Sequence, residues 1–246
     1  MKAIIVTSQI TFVPENYDRF VLKMAEHPHI LGLIVLKNRD PLFLLKAIFL
    51  ILSGAAPRLG LQVFKNYLAS FTNKRTQVYK KNLKKIWFLD TINSPEAIKI
   101  VEDEKIDLII NARTRYIYKK DILGAPHYGC INIHHGLLPK QRGLMCDFWA
   151  HLEGEKFGFS IHQMTSKIDD GDILKVIEVK NAKNNYLESL LAASEQEALT
   201  CSDLLNELEK NNNQLEVIKN SSNDHKYRKN PTRKDLIALQ KKGIKI

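Results

Sequence analysis

Cysteine is scarce in this sequence. Only three occur among the 246 residues, at Cys130, Cys146 and Cys201. Their number is odd, they are widely spaced and no two form a CxxC pair, so the sequence indicates neither a disulfide framework nor a zinc knuckle. A reducing compartment fits this pattern best, and we expect the protein to be cytoplasmic.

Long apolar runs are also missing. The chain starts with one charge and a short apolar run that breaks at Thr7, Ser8 and Gln9, which is too brief for a signal peptide. The longest apolar stretch, residues 41–56, contains Lys46 and is shorter than the roughly 20 residues that a membrane-spanning helix needs. We therefore expect no membrane span.

Acidic residues are absent from residues 41–89, which contain nine basic residues, while the whole chain has 37 basic and 27 acidic residues and a net charge of +10. The last twenty-two residues add eight basic residues against Asp235 alone. The rest of the chain is therefore net acidic. A helix that lies on an anionic surface has the composition of residues 41–89. The alternative is that its apolar residues pack on the sheet or on a partner subunit and its lysines form a solvated face.

The hydrophobic pattern predicts an α/β fold. Short β-branched runs at 2–7 and 30–36 flank a segment with helical spacing, which predicts strand, helix, strand. Ser94 and Pro95 are an N-cap and a first-turn proline of a helix. Further strands are predicted at 86–89, 107–110, 130–134, 157–164 and 172–179, and further helices at 95–102, 144–152 and 187–208. This alternation is typical of a doubly wound, mostly parallel sheet.

Two basic appendages interrupt or follow this core. Residues 41–85 have apolar spacing that predicts one or two helices, broken at Ser53-Gly54 and at Pro57, and they form an insertion between core elements. We expect one domain over residues 1–210, including this insertion, and a basic C-terminal tail over residues 211–246. The tail is weakly periodic, so it packs on the surface or stays partly mobile.

Three motifs follow one another in the second half of the chain. They are INIHHGLLPKQRG at 131–143, GFSIH at 158–162 and IDDGDI at 168–173. This order resembles the 10-formyltetrahydrofolate-dependent formyltransferases, including sugar N-formyltransferases and the catalytic domain of methionyl-tRNA formyltransferase. The resemblance covers about residues 106–179 and implies a Rossmann-like formyltransferase sheet. His135, Gly136 and Ser160 depart from the family pattern, and none of them replaces a catalytic group.

The resemblance implies that Asn132, His134 and Asp169 are the catalytic residues. Their chemistry is consistent with this, because a buried amide can donate to the oxyanion that forms when an amine attacks a formyl carbon. Asn132 and His134 are two residues apart and would point to one side of a strand. A carboxylate such as Asp169 would favour the charged imidazole and collect the amine proton. On residue type alone, the three could instead be a turn residue, a surface histidine and an acidic turn.

The resemblance also implies contacts to the folate. The loop at 111–118 would run along the pterin pocket and a Leu-Leu-Pro corner would shape the cleft wall. The implied contact residues are Ala112, Arg113, Thr114, Tyr116, Leu137, Leu138, Pro139 and Ile168. Arg113 and Arg115 could bind the folate tail or an anionic acceptor, or be solvated surface charge.

The histidines raise two questions, namely the role of His162 and whether a group of them binds a metal. His162 either lines the pocket or caps an alternating strand. His127, His134, His135 and His162 lack carboxylate or thiolate spacing, so we expect no metal site.

The amine acceptor is inferred from the appendages. Relatives that act on methionyl-tRNA carry a second, barrel-like C-terminal domain, whereas about seventy residues follow Val179 here. Relatives that act on glycinamide ribonucleotide lack an acid-free insertion of this kind. We therefore expect an amino sugar carried by a nucleotide, of the kind used in surface polysaccharide synthesis. Glycinamide ribonucleotide, aminoacyl-tRNA, hydrolysis of 10-formyltetrahydrofolate and a pure binding role remain alternatives. We do not expect a nucleic acid partner, and a homodimer and weak membrane contact are left open.

Overall fold

The computed structural model describes residues 1–11, 14–38, 41–72, 74–114, 116–180, 184–211, 216–221 and 224–246. Its strands are β1 (Ala3–Ser8), β2 (Ile30–Leu36), β3 (Lys85–Leu89), β4 (Leu108–Asn111), β5 (Cys130–His134), β6 (Gln141–Gly143), β7 (Gly158–Gln163), β8 (Ile173–Glu178) and β9 (Lys226–Arg228). Its helices are α1 (Pro14–Met24), α2 (Leu42–Leu52), α3 (Pro57–Ala69), α4 (Lys74–Lys81), α5 (Pro95–Glu104), α6 (Lys120–Gly124), α7 (Cys146–Glu153), α8 (Tyr186–Lys210) and α9 (Arg233–Lys241). Among the residues described, no helix is long and apolar enough to cross a membrane.

The central sheet has seven strands in the order β3-β2-β1-β4-β5-β7-β8. The strands from β3 to β5 are parallel, and β7 and β8 are antiparallel additions. From β1 the chain winds outward to β2 and β3 on one side and to β4 and β5 on the other. The prediction of a doubly wound, mostly parallel sheet is confirmed.

The central strands are buried on both faces, which is why they are nearly continuous apolar runs. All six residues of β1 are buried. Ala3 and Ile5 belong to one core cluster, and Ile4 and Val6 to the other. Alternate side chains of one strand thus enter opposite layers.

Helix ends follow the local sequence signals where these are strong. The Ser94 side chain accepts from the Ala97 amide, and Pro95 begins α5 as predicted. Helix α8 covers the predicted closing helix and packs against α1.

The insertion between β2 and β3 contains three helices. Helices α2 and α3 are separated at the predicted break. Helix α4 was not predicted, because its apolar content is low. It is held in place by Tyr79, which is fully buried and donates to the Val21 carbonyl, and by Arg75, whose Nε lies 2.8 Å from Asp18 Oδ1.

The C-terminal residues differ from the expected tail. Strand β9 pairs in parallel with β6, and α9 begins with a capping box between Thr232 and Asp235. Leu236, Leu239 and Ile246 are buried in the same core cluster as the sheet. A few well-placed apolar residues therefore dock this basic segment onto the body of the protein.

Candidate active site

Asn132 and His134 lie at the carboxyl end of β5, beside Asn111 at the end of β4. Asn111 and Asn132 are register partners across the two parallel strands. Strand order reverses direction between β1 and β4, and open α/β sheets bind ligands at the carboxyl ends of strands near such a point. The fold therefore collects polar side chains where a ligand cleft is expected.

The Asn132 amide is held from both sides. Its Oδ1 accepts from Asn111 Nδ2 at 2.9 Å. Its Nδ2 lies 3.1 Å from His162 Nε2, because β7 pairs antiparallel to β5 with His162 opposite Asn132. Within the described residues, that nitrogen bonds only to His162, so its second hydrogen is available for a ligand.

His162 is an acceptor in this arrangement. Its Nδ1 lies 2.7 Å from the Gln163 carbonyl and donates to it, so Nε2 is free to accept from Asn132. Burial and the neighbouring His134 lower the pKa of His162 to about 4, which keeps the ring neutral near pH 7. The structure therefore favours the pocket interpretation of His162.

His134 and Asp169 form a buried pair. His134 Nε2 donates to the Gln141 carbonyl at 2.8 Å, and its Nδ1 faces Asp169 Oδ1 at 3.5 Å. The second carboxylate oxygen of Asp169 accepts from the Gly143 amide at 2.9 Å. The imidazole is thus fixed with Nδ1 facing the carboxylate.

The loop that carries Asp169 is fixed by close packing and by a residue from the C-terminal segment. A Cβ on Gly171 would lie 2.0 Å from the Gln163 carbonyl oxygen, so only glycine fits beside β7. Asn220, which is buried, donates to the carbonyls of Asp169 and Gly171 at 2.9 Å each. It also accepts from Arg142 Nη2 at 2.9 Å. The sequence reasoning missed Asn220, since nothing in its neighbourhood marks a site.

These groups open into one cavity of about 560 Å³, which is a size typical of small-molecule sites. The predicted catalytic residues line it together with four of the predicted folate contacts, Arg113, Thr114, Tyr116 and Ile168. Ala112, Leu137, Leu138 and Pro139 do not line it. Instead Leu138 is buried and its amide donates to Ser160 Oγ on β7.

Asn111 connects the catalytic amide to the predicted folate loop. Its Oδ1 accepts from the Thr114 amide at 3.1 Å and from the Thr114 hydroxyl at 2.7 Å, while its Nδ2 holds Asn132. The loop and the catalytic amide are thus fixed by one side chain.

Arg113 is not solvated surface charge. Its Nη2 lies 2.9 Å from Oε2 of Glu197, whose side chain is fully buried. His135 joins this network, with Nε2 at 2.5 Å from Glu197 Oε1 and Nδ1 at 3.2 Å from Asp147 Oδ2. The other arginine of this loop, Arg115, lies outside the described residues.

The network shifts the pKa values of its members. Burial and Arg113 pull the pKa of His135 down, but Glu197 and Asp147 outweigh them and leave it raised. Burial alone would raise the pKa of Glu197 and Asp147, yet the adjacent cations leave both lowered. The charged forms of His135, Glu197 and Asp147 are therefore each favoured by their neighbours in this network.

One wall of the cavity comes from the C-terminal segment that was expected to be a tail. It contributes Tyr227, Arg228, Lys229 and Asn230. Tyr227 and Lys229 are exposed, as is Lys167 on the loop before Asp169. The only sequence signal for these residues was the basic composition of the segment.

Among the described residues, no group of three histidine, cysteine or acidic side chains is arranged to hold a metal ion.

Comparison with known proteins gives one family match, to the formyl transferase domain, over residues 69–202. By sequence, the chain is 48% identical over 85 residues to methionyl-tRNA formyltransferase of Bacillus cytotoxicus, which covers 34% of this chain and 27% of that protein. The chain thus spans about a fifth to a quarter of the length of the relatives that it matches by sequence.

Solved structures share the fold at low identity. A sugar N-formyltransferase from a Shewanella species has a TM-score of 0.57 and 18% identity, covering 97% of this chain and 87% of that one. Phosphoribosylglycinamide formyltransferase from Streptococcus pneumoniae has a TM-score of 0.59 and 18% identity, covering 85% of this chain and 98% of that one. The fold is thus shared by enzymes named for different acceptors.

Proposed function

Since this chain belongs to the formyl transferase family, whose domain matches residues 69–202, we propose that it moves a formyl group from 10-formyltetrahydrofolate onto a primary amine. The observation that carries this proposal is the Asn132 amide, held by Asn111 and His162 beside the His134–Asp169 pair in one cavity. We place the reaction in the cytoplasm, where three free, buried thiols stay reduced.

Each catalytic side chain has a separate task in this proposal. Bound 10-formyltetrahydrofolate supplies the formyl carbon that the amine nitrogen attacks. Asn132 donates its second amide hydrogen to the formyl oxygen as negative charge develops there. His134, supported by Asp169, takes the proton that the amine loses as the new C–N bond forms. That proton can then return to the folate nitrogen as the old C–N bond breaks.

The donor would occupy the part of the cavity that is lined by Thr114, Tyr116 and Ile168. Asn111 fixes Thr114, so the loop over residues 112–116 is positioned relative to the catalytic amide. We propose that residues 112–114 contact the donor chiefly through their backbone. We propose that Leu137, Leu138 and Pro139 shape the cleft wall without lining the cavity.

For the acceptor we propose an amino sugar carried by a nucleotide. Lys167 and Lys229 are exposed on the cavity lining, and no acidic residue in the described part of the chain forms an ion pair with either. In this proposal the two lysines pair with the diphosphate that links the sugar to the nucleotide. Tyr227, also exposed on the lining, offers an aromatic ring for a base. We propose that the catalytic unit is the domain over residues 1–210 completed by these groups from the C-terminal segment.

The acceptor class is tested by following tetrahydrofolate release from 10-formyltetrahydrofolate with a panel of amines. We expect release with a nucleotide-linked amino sugar and none with glycinamide ribonucleotide or methionyl-tRNA. The matched control omits every amine. Tetrahydrofolate release in that control would show that the enzyme is a hydrolase. If release required a different amine, that amine would be the acceptor and the amino sugar would not.

Asn220 is expected to position Asp169. In Asn220→Ala the carbonyls of Asp169 and Gly171 lose their donor, and a displacement of about 1 Å at a reacting group can lower kcat about 100-fold. We therefore expect kcat to fall about 100-fold while KM for the donor changes little. The control is Ser221→Ala, an exposed neighbour in the same segment.

Two readouts separate positioning from stability. The pH profile of kcat should change in Asn220→Ala, because Asp169 would no longer hold His134 in the same geometry. If Asn220→Ala only lowers the melting temperature and leaves kcat and its pH profile as in the unmodified enzyme, Asn220 has no positioning role.

A further inference from the structure

Helix α2 is apolar except for Lys46, although it lies at the surface. Leu42, Leu45, Phe49 and Leu52 are spaced by three or four residues and are 53%, 61%, 57% and 80% exposed. At 3.6 residues per turn, this spacing puts them on one side of the helix. Ala47, on the opposite side, is buried. A helix with this composition is usually enclosed by protein or lipid.

Helix α3 extends the same surface. Arg58, Leu61, Lys65 and Leu68 are exposed at helical spacing, so cations and leucines alternate on its outer side. Phe71, just beyond the end of the helix, is 58% exposed. The outer sides of α2 and α3 together form the surface that we call the hairpin face.

Helices α2 and α3, which carry the hairpin face, pack closely against each other and against the core. A Cβ on Gly60 would lie 2.8 Å from the Ala47 carbonyl oxygen and 3.0 Å from the Ile51 amide nitrogen, so the two helices touch backbone to backbone. Ala56 and Leu59 then anchor the hairpin in the core. Its exposed side chains therefore belong to a packed element.

The charge around this face has one sign. Residues 41–89 hold nine basic residues and no acidic one. Within the described chain, the recorded acidic partners of these nine are Asp18, which pairs with Lys74 and Arg75, and Glu104, which pairs with Lys85. Exposed cations without such a partner are Lys46, Arg58, Lys65, Lys80 and Lys81.

We propose that the hairpin face docks on an anionic lipid bilayer. The apolar side chains of α2 would enter the boundary between headgroups and acyl chains, and the lysines and arginines would pair with lipid phosphates. A second copy of the chain is a poor occupant, because a two-fold contact would bring the same unpaired cations together. No described residue between 41 and 72 lines the catalytic cavity, so the proposal does not rest on the proposed function.

Co-sedimentation of the full chain with vesicles tests the proposal. We expect binding to phosphatidylglycerol-containing vesicles at low salt, with at least about tenfold weaker binding to pure phosphatidylcholine vesicles and to the anionic ones near 0.5 M salt, where the Debye length shrinks to a few ångström. Leu45→Glu combined with Phe49→Glu should abolish binding. Both side chains are exposed, so circular dichroism should show an unchanged fold.

The matched control is Leu199→Glu, because Leu199 is 60% exposed on α8, outside the hairpin face. It should bind anionic vesicles as the unmodified chain does. Absent binding, equal binding to both vesicles, or binding that survives in the double variant would overturn the proposal. A dimer seen by light scattering that dissociates in the double variant, without vesicle binding, would assign the face to a second copy.

Discussion

Replacing His134 with alanine is expected to lower kcat about 10²- to 10⁴-fold, the usual contribution of a positioned acid or base. Its ring is fixed between the Gln141 carbonyl and Asp169, which orients Nδ1 for proton transfer. Asn132→Ala should cost about 10²- to 10³-fold through the lost oxyanion donor. Because the three groups act as a unit, combining substitutions should cost less than the product of the single effects. Tetrahydrofolate release under saturating donor and acceptor measures each effect.

The control for this series is His127→Ala, since His127 is exposed and lies outside the cavity lining. Its kcat should stay close to that of the unmodified enzyme. Near-normal turnover in His134→Ala, with an unchanged circular dichroism spectrum, would remove His134 from the mechanism.

The core of this site could be predicted because its geometry is local. Asn132 and His134 are two residues apart on a strand, and the alternation of side chains alone puts them on one side. Asn111 and His162 act on Asn132 only through strand pairing, and the register that places His162 opposite Asn132 depends on how β7 turns back. A histidine two residues after Ser160 in an alternating strand was the available signal, and it fitted either a pocket residue or the cap of the strand.

The sheet could be predicted from the sequence, but two of the surface helices could not. Parallel strands buried on both faces leave continuous apolar runs in the sequence, so β1, β4 and β5 were recognisable. Helix α4 and the C-terminal helix α9 lack such a pattern. They are fixed by a few contacts, such as the hydrogen bond from Tyr79 to the Val21 carbonyl, that join residues far apart in sequence.

Asn220 shows the same limit at the site itself. It lies 51 residues after Asp169, whose backbone carbonyl it binds. Its own neighbourhood is polar, basic and without periodicity, so local reasoning assigns it to a tail. Only the folded chain brings it beneath the catalytic loop.

The sequence also could not predict which charged residues pair in the interior. Arg113 fitted either a ligand contact or a surface charge, and its partner Glu197 belongs to the distant helix α8. The network joins the ends of β4 and β5 to α7 and α8. Three of its members, Arg113, His135 and Asp147, line the cavity.

Glu197→Gln is expected to lower the free energy of unfolding by about 3–5 kcal/mol, because it leaves the buried charge of Arg113 without its carboxylate and removes one of the two carboxylates beside His135. Urea denaturation near pH 5.5 measures the loss. The pH sign follows from the pKa shifts. Glu197 and Asp147 have lowered values, so their contribution is present above their ordinary values of 4.5 and 3.8 and is lost as the pH falls through the folded ones. His135 has a raised value, so its contribution is complete below 6.5 and is lost as the pH rises through the folded one.

The unmodified protein should therefore gain most from this network between pH 4.5 and 6.5, and Glu197→Gln should flatten that maximum. Glu195→Gln is the matched control on the same helix, because Glu195 is 62% exposed and pairs with Arg19 at the surface. Such exposed pairs contribute at most about 1 kcal/mol. Equal losses in the two variants, or an unchanged pH profile in Glu197→Gln, would contradict a stabilising role for the buried network. A larger loss at Glu197 would instead show that the stability of the fold depends on a buried charge that the sequence places far from the catalytic motifs.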